Sequence, residues 1–212
     1  MKILNLYACL GGNRFKWGDE HEITAVEMDS DLAKMYQDRF PNDKVVIGDA
    51  HQYLLEHFKD FDFIWSSPPC PTHSTVRISQ KNTKGFVPKF PDMKLYEEII
   101  FLDNYFDGKY CVENVIPFYT PLIPAQKRGR HLYWTNFKLP YVLSTRRSKI
   151  GSGRNEVQKL CKFHEINIDN YNGTQRKDKI ARNLVDYEAG KSILETALGI
   201  VKSNKTNQAT LF

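Results

Sequence analysis

The sequence has no long apolar run, no paired cysteines and no internal repeat. No window approaches the roughly 18 consecutive apolar residues of a membrane helix, so no membrane partner is expected. MKILNLYAC at the start imitates a lipoprotein signal, but Asn5 interrupts an apolar run already too short for a signal core, so it reads as a buried strand. The four cysteines, Cys9, Cys70, Cys111 and Cys161, include no CxxC pair, which excludes a zinc ribbon or a disulfide framework. A reduced, cytoplasmic protein is expected, in a bacterial or phage-infected host cell. Cys161 and His164 form a lone CxxH fragment without a second ligand pair, so no metal is expected. The biases of disordered, collagenous or coiled-coil chains are missing too, since 41% hydrophobic and 26% charged residues are ordinary globular values. At 212 residues the chain has length for one domain with a real core.

What is present is uneven charge. Residues 1–120 carry 13 Lys and Arg against 18 Asp and Glu, whereas residues 121–182 carry 14 against 4. From Pro121 to Asn155 there are eight basic side chains and no acidic one, interleaved with Tyr133, Trp134, Phe137 and Tyr141. A solvated face or a phosphate-binding surface would both have this composition, and the absence of any acid favours nucleic acid.

The first half alternates strand and helix. Apolar strands are predicted at 3–8, 22–27, 44–48, 62–66 and 110–115. Helices are predicted after Asp29 or Ser30 until Pro41, from Asp49 through Phe58, and from Asp92 along Leu95, Ile99, Leu102 and Phe106. This rhythm predicts an α/β fold with a mostly parallel sheet, helices on both faces, and ligands at the carboxyl ends of the strands. Beyond Pro117 a strand is expected at 131–137, a closing helix with a break from Ala181 to Val201, and a loose tail over the last ten residues.

Four motifs sit at those strand ends. LYACLGGN has two glycines that either make a tight turn or let backbone approach a ligand, with Glu27 placed to accept from a ribose. Asp49 would either hold an adenine amino group or cap its helix. SSPPCPTHS fixes Cys70 between prolines in a polar turn, unlike the usual buried cysteine, so it reads as a nucleophile whose thiolate neighbouring arginines would favour. In VENV, Glu113 is either structural or a proton carrier beside that turn. In QKRGR, Arg128 and Arg130 alternate, and an extended strand would point both to one side to grip a phosphate or ring carbonyl.

Together and in this order the motifs resemble the cytosine-5 DNA methyltransferase family over residues 3–137, resuming at Arg182-Asn183-Leu184-Val185. The resemblance implies a Rossmann-like class I methyltransferase fold and S-adenosylmethionine. Its cofactor would be held by Tyr7, Ala8, Cys9, Leu10, Gly11, Gly12, Glu27, Met28, Asp49, Ala50, Pro68, Asn183 and Val185. The thiolate of Cys70 would add to cytosine C6, Glu113 would bond N3 and the exocyclic amine, and Arg128 or Arg130 would lie near O2 and the phosphate. In double-stranded DNA, the implied partner, the base must leave the stack. The 72–91 stretch would cover the flipped nucleotide, and Ser74, Arg77, Gln80, Lys81, Lys84, Arg146, Arg147, Lys149 and Arg154 would contact nucleic acid.

Three departures stand out. Pro71 follows the nucleophile where the family commonly has Gln, and Met28 replaces a larger apolar residue. Only about fifty residues separate QKRGR from the last motif, where the family inserts a sizeable recognition domain. Within a single catalytic domain at 1–212, residues 138–180 would be a reduced target-recognition segment reading a short site, or a separate specificity subunit would supply the reading. A compact enzyme of this kind is viral or mobile-element in style. The rivals are an RNA cytosine-5 methyltransferase, although its CFT signature is missing, and a non-catalytic nucleic-acid-binding accessory protein.

Overall fold

The computed structural model describes residues 1–146 and 155–200. Seven strands form one sheet: β1 (Lys2–Leu6), β2 (Glu22–Glu27), β3 (Lys44–Ile47), β4 (Phe63–Ser66), β5 (Lys109–Val115), β6 (Gln126–Arg128) and β7 (His131–Thr135). Their spatial order is β3-β2-β1-β4-β5-β7-β6. The first five run parallel, while β7 pairs antiparallel with β5 and with β6. The order reverses between β1 and β4, where an open sheet leaves a crevice at the carboxyl ends.

Alternation along the strands builds two apolar faces. Leu4, Leu6, Ile64 and Val112 pack against α2 (Ala50–His57) and α4 (Lys94–Tyr105) through Leu54, Leu95, Ile99 and Leu102. Ile3, Phe63, Trp65 and Cys111 face the other way, onto Trp17 and onto α7 (Tyr187–Ala197) through Ala189, Ile193 and Leu194. Between β2 and β3, α1 (Ser30–Arg39) begins on Asp29, whose side chain accepts from the Asp31 and Leu32 amides. Asp49 caps α2 in the same way. Buried Arg14 is held by Asp43 at 2.9 Å, which also takes the Tyr36 hydroxyl at 2.8 Å.

The early strands and helices lie where the apolar pattern put them, to within two residues. Three places differ. First, α4 begins at Lys94, with Met93 rather than Asp92 at the cap. Second, QKRGR is not one extended strand. Arg128 ends β6, and Gly129-Arg130 is the two-residue turn into β7, with Gly129 at φ +58 in the position where a type II′ hairpin turn takes glycine. Third, the closing helix starts earlier, at Lys177, while its expected break is there: α6 (Lys177–Asn183) and α7 flank Leu184, Val185 and Asp186. Two further helices were not foreseen, α3 (Thr75–Ser79) and α5 (Glu156–His164). The expected tail lies outside the described residues. Among the described residues no helix is long and apolar enough to cross a membrane, and no three His, Cys, Asp or Glu side chains cluster to hold a metal.

Candidate active site

The ends of β1, β2, β4 and β5 open onto one cavity of about 340 Å³. Tyr7, Cys9, Glu27, Met28, Ala50 and Pro68 line one side; Cys70, Glu113, Asn114 and His131 line the other. Gln175, Lys179, Arg182 and Asn183 to Val185 come from α6 and its flanks.

The loop after β1 is sharply folded. Tyr7, Cys9 and Gly11 all have left-handed backbone, with φ of 56, 47 and 66. Such conformations cost energy for Tyr and Cys and persist only when surroundings enforce them. Here the fold-back brings the Cys9 amide to Glu27 Oε2 at 2.8 Å, while the Asp29 amide donates to Oε1 at 3.0 Å. Burial pushes the Glu27 carboxyl up, and these two backbone bonds oppose that shift. A carboxylate oxygen carries two lone-pair sites, so both oxygens retain acceptor capacity toward the cavity. An acidic acceptor at a strand end, an apolar wall of Met28 and Leu32, and a volume in the range of small-molecule sites fit an adenosine-type cofactor.

Not every expected cofactor residue reaches that cavity. Ala8 and Leu10 are buried in the core, and Gly11 and Gly12, also buried, leave no room for a side chain. A Cβ on Gly11 would fall 2.4 Å from the Phe40 ring, and one on Gly12 would fall 2.6 Å from the Val185 carbonyl oxygen. Asp49 is engaged with the His51 and Gln52 amides and with Lys94 at 3.4 Å, and its neighbours Gly48 and Ala50 line the wall instead.

Beneath this wall lies a hub the motifs did not reveal. Glu98, on α4 and 1% exposed, accepts from Tyr7 Oη at 2.6 Å and Ser66 Oγ at 2.5 Å, and meets His51 Nδ1 at 3.0 Å. One carboxylate thereby ties the segment after β1, the end of β4 and the first turn of α2, each of which leads into the cavity wall. The hydrogen bond to Glu98 raises the pKa of His51.

The turn carrying Cys70 is held at both ends. Asn114 Nδ2 donates to the Pro68 carbonyl at 2.9 Å, and the His73 and Ser74 amides donate to the Cys70 carbonyl at 3.0 and 3.1 Å. Cys70 is half-buried. Burial, then the Glu113 carboxylate, push its thiol up, whereas its own backbone amide and then Lys179 act in the opposite sense; among the described residues no arginine contributes. Among the described residues the expected arginine activation is absent, because Arg128 donates to the carbonyls of Leu139, Pro140 and Lys127 and, with Arg130, lines an adjoining cavity. Glu113 is buried, with His131 Nε2 at 3.7 Å.

Among the expected nucleic-acid contacts, Ser74 caps α3 and Arg77 donates to the Val87 carbonyl and stacks 4.8 Å from the Phe86 ring. Gln80, Lys81 and Lys84 stand exposed on that same excursion. Arg146 is paired with Asp186 at 2.8 Å and stacked on Phe163 and Tyr187. Arg147, Lys149 and Arg154 lie outside the described residues.

Residues 1–89 match the family model C-5 cytosine-specific DNA methylase. The resemblance is thus shown over the stretch holding the LYACLGG loop, Glu27, Asp49 and the Cys70 turn. The fold of the whole is also that of a methyltransferase: Entamoeba histolytica methyltransferase EhMeth aligns at a TM-score of 0.52 and 10% identity over 95% of this chain and 99% of that one. Two looser likenesses are DNMT2 of Spodoptera frugiperda, at 26% identity and TM-score 0.36 over 54% of this chain and 35% of that one, and a methyltransferase described as putative, yhhF of Escherichia coli, at 16%, 0.42, 63% and 73%. The chain spans about a third of that DNMT2 chain, and neither likeness adds to the assignment. No curated protein matches the sequence. The family model covers less than half of the chain, and the likeness to EhMeth is one of fold.

Proposed function

We propose that the protein is a DNA cytosine-5 methyltransferase that works through a covalent bond from Cys70 to the base. The observation that carries this reading is the shared cavity: thiol, carboxyl and a ribose-type acceptor converge on one space from four neighbouring strand ends. Cytosine C5 is a poor nucleophile. Addition of the Cys70 sulfur to C6 makes C5 enamine-like, while Glu113 bonds N3 and the exocyclic amine and neutralises the charge that develops there. S-adenosylmethionine, when bound along Tyr7, Glu27, Met28, Ala50, Pro68 and Val185, supplies an electrophilic methyl group. After transfer, loss of the C5 proton to a base and expulsion of the sulfur restore the free thiolate. Proline on both sides of Cys70, with the Asn114 bond to Pro68, keeps the sulfur from swinging away.

Duplex DNA must present the cytosine outside the stack. The exposed excursion with Lys81, Lys84 and Lys89 stands beside the nucleophile turn and suits the cover for such a base. In this reading sequence recognition falls to the 138–180 segment, whose described surface includes Lys138, Tyr141 and Val142, and the segment's small size implies a short site of roughly two to four bases.

The deciding experiment offers the full chain 5-fluorocytosine in duplex DNA, single-stranded DNA and RNA, with S-adenosylmethionine. Fluorine at C5 blocks the final elimination, so a denaturant-stable adduct on DNA is expected, absent from the Cys70→Ala variant. An adduct on RNA alone would transfer the reading to the RNA rival, and no adduct on any polymer would leave a binding protein.

A further inference from the structure

The cavity contains one cation that no motif announced. Lys179, on α6, lines it together with Cys70 and Glu113, although this helix lies more than a hundred residues beyond the nucleophile in sequence. The other titratable groups around the space are committed elsewhere. The Tyr7 hydroxyl is bonded to Glu98 and the Glu27 carboxylate to two backbone amides. Burial pushes the Cys9 thiol up to about 12, which keeps it neutral. His131 is directed at Glu113, and Arg182 forks onto Glu156 at 3.0 and 2.6 Å. Arg128, the cation that the QKRGR motif offered, is spent on backbone carbonyls. The ammonium of Lys179 is engaged in no side-chain hydrogen bond or ion pair among the described residues.

Resting on the covalent reading above, we propose that Lys179 is the electrostatic partner of the nucleophile, holding the negative charge left on the Cys70 sulfur when its proton passes to water. The need is physical: desolvation and a neighbouring carboxylate both disfavour a thiolate, and an unpaired cation on the cavity wall, though itself exposed to solvent, opposes both. The same charge assists again when the sulfur leaves the base as an anion. Placement on α6 also has a consequence for order of events, because α6 carries Asn183 and leads into Val185 at the cofactor end. The helix that closes the cofactor wall thereby carries the charge that readies the thiol.

The test reads Cys70 directly. Iodoacetamide alkylation of the full-length protein is followed by peptide mass spectrometry at Cys70 across pH 7 to 10, for wild type, Lys179→Met and Lys179→Arg, with thermal melts confirming that all three fold. Lys179→Met should move the midpoint upward by about half a unit, or slow alkylation about threefold at pH 8, and Lys179→Arg should restore the wild-type curve. In the methylation assay Lys179→Met should lower kcat about tenfold with little change in S-adenosylmethionine affinity. Coincident alkylation curves for wild type and Lys179→Met, or an arginine variant that behaves like methionine, would overturn the proposal. If instead the wild type forms no adduct with any nucleic acid, the enzymatic reading fails while the alkylation curves still report on Lys179, so the two failures are distinguishable.

Discussion

Residues 1–115 and residues 138–180 are built on different terms. In the first, apolar runs of four to seven residues become parallel strands, and each turn between them carries a visible device: Gly11 at a positive φ, a capping aspartate, or a proline pair. The second has no strand among its described residues and its apolar side chains are scattered, yet it reaches as deeply into the protein. Leu139 and Leu143 join the layer formed by Ile3, Phe63 and Trp65, whereas Leu160, Ile168 and Tyr171 close over Leu10 and Leu32. Its cations are partly internal too, with Arg146 on Asp186 and the Phe163 carbonyl. A basic composition thus describes a segment's inventory and not which way it faces: cations that brace a fold and cations that meet a phosphate count alike.

If the 138–180 segment is core in this sense, breaking it should unfold the whole. Ile168 is 2% exposed, and Ile168→Ala should cost about 3 kcal/mol, the range of buried aliphatic truncations. Urea denaturation should show a single shifted transition, equal in kind to that of Leu32→Ala on α1. A separate early transition confined to Ile168→Ala would instead make the segment an appended module.

His164 sharpens the comparison by pH. It is buried, its Nδ1 has no partner, and burial pushes its pKa down to about 4 from an ordinary 6.5. Between those values the unfolded chain binds a proton that the folded chain refuses, so stability falls as pH drops from 6.5 toward 4, by about 3 kcal/mol at most. His164→Leu should flatten that part of the wild-type stability curve. An unchanged slope would mean that the segment opens locally on acidification and lets the imidazole charge.

The same contrast explains what was legible. Strands and capped helices announce themselves through period and punctuation, and the strand-end residues Glu27, Cys70 and Glu113 could be placed once the strands were known. β6 is only three polar residues, Gln126 to Arg128, so no periodicity marks it, and the hairpin that separates the two arginines was invisible. Glycines at 11 and 12 were visible, but their reason was not: the obstacles are the Phe40 ring and the Val185 carbonyl, distant in sequence. Glu98 did leave a trace, as a charge on the buried stripe of α4, three residues after Leu95 and four before Leu102. Lys179 left none, since nothing local in KDKIARN tells which lysine lines the cavity.

The smallest expected effect bears on how the two regions are joined. The Tyr171 hydroxyl donates to Asp29 Oδ2 at 2.7 Å and accepts the Gln175 amide at 3.0 Å. Asp29 in turn caps α1 through Oδ1 and gives its own amide to Glu27. One phenol oxygen therefore connects the second region to the cap of α1 and, one step further, to the proposed ribose acceptor. Tyr171→Phe keeps the buried ring and removes only that oxygen. Loss of a hydrogen bond with a partner left unpaired predicts about 1 kcal/mol, visible as a lower denaturation midpoint at unchanged m. Because Asp29 keeps Gln175 Nε2 at 3.1 Å, the cap should hold and affinity for S-adenosylmethionine should fall less than threefold. A larger drop in affinity with normal stability would mean that the second region sets the position of Glu27, and not merely that it rests against α1.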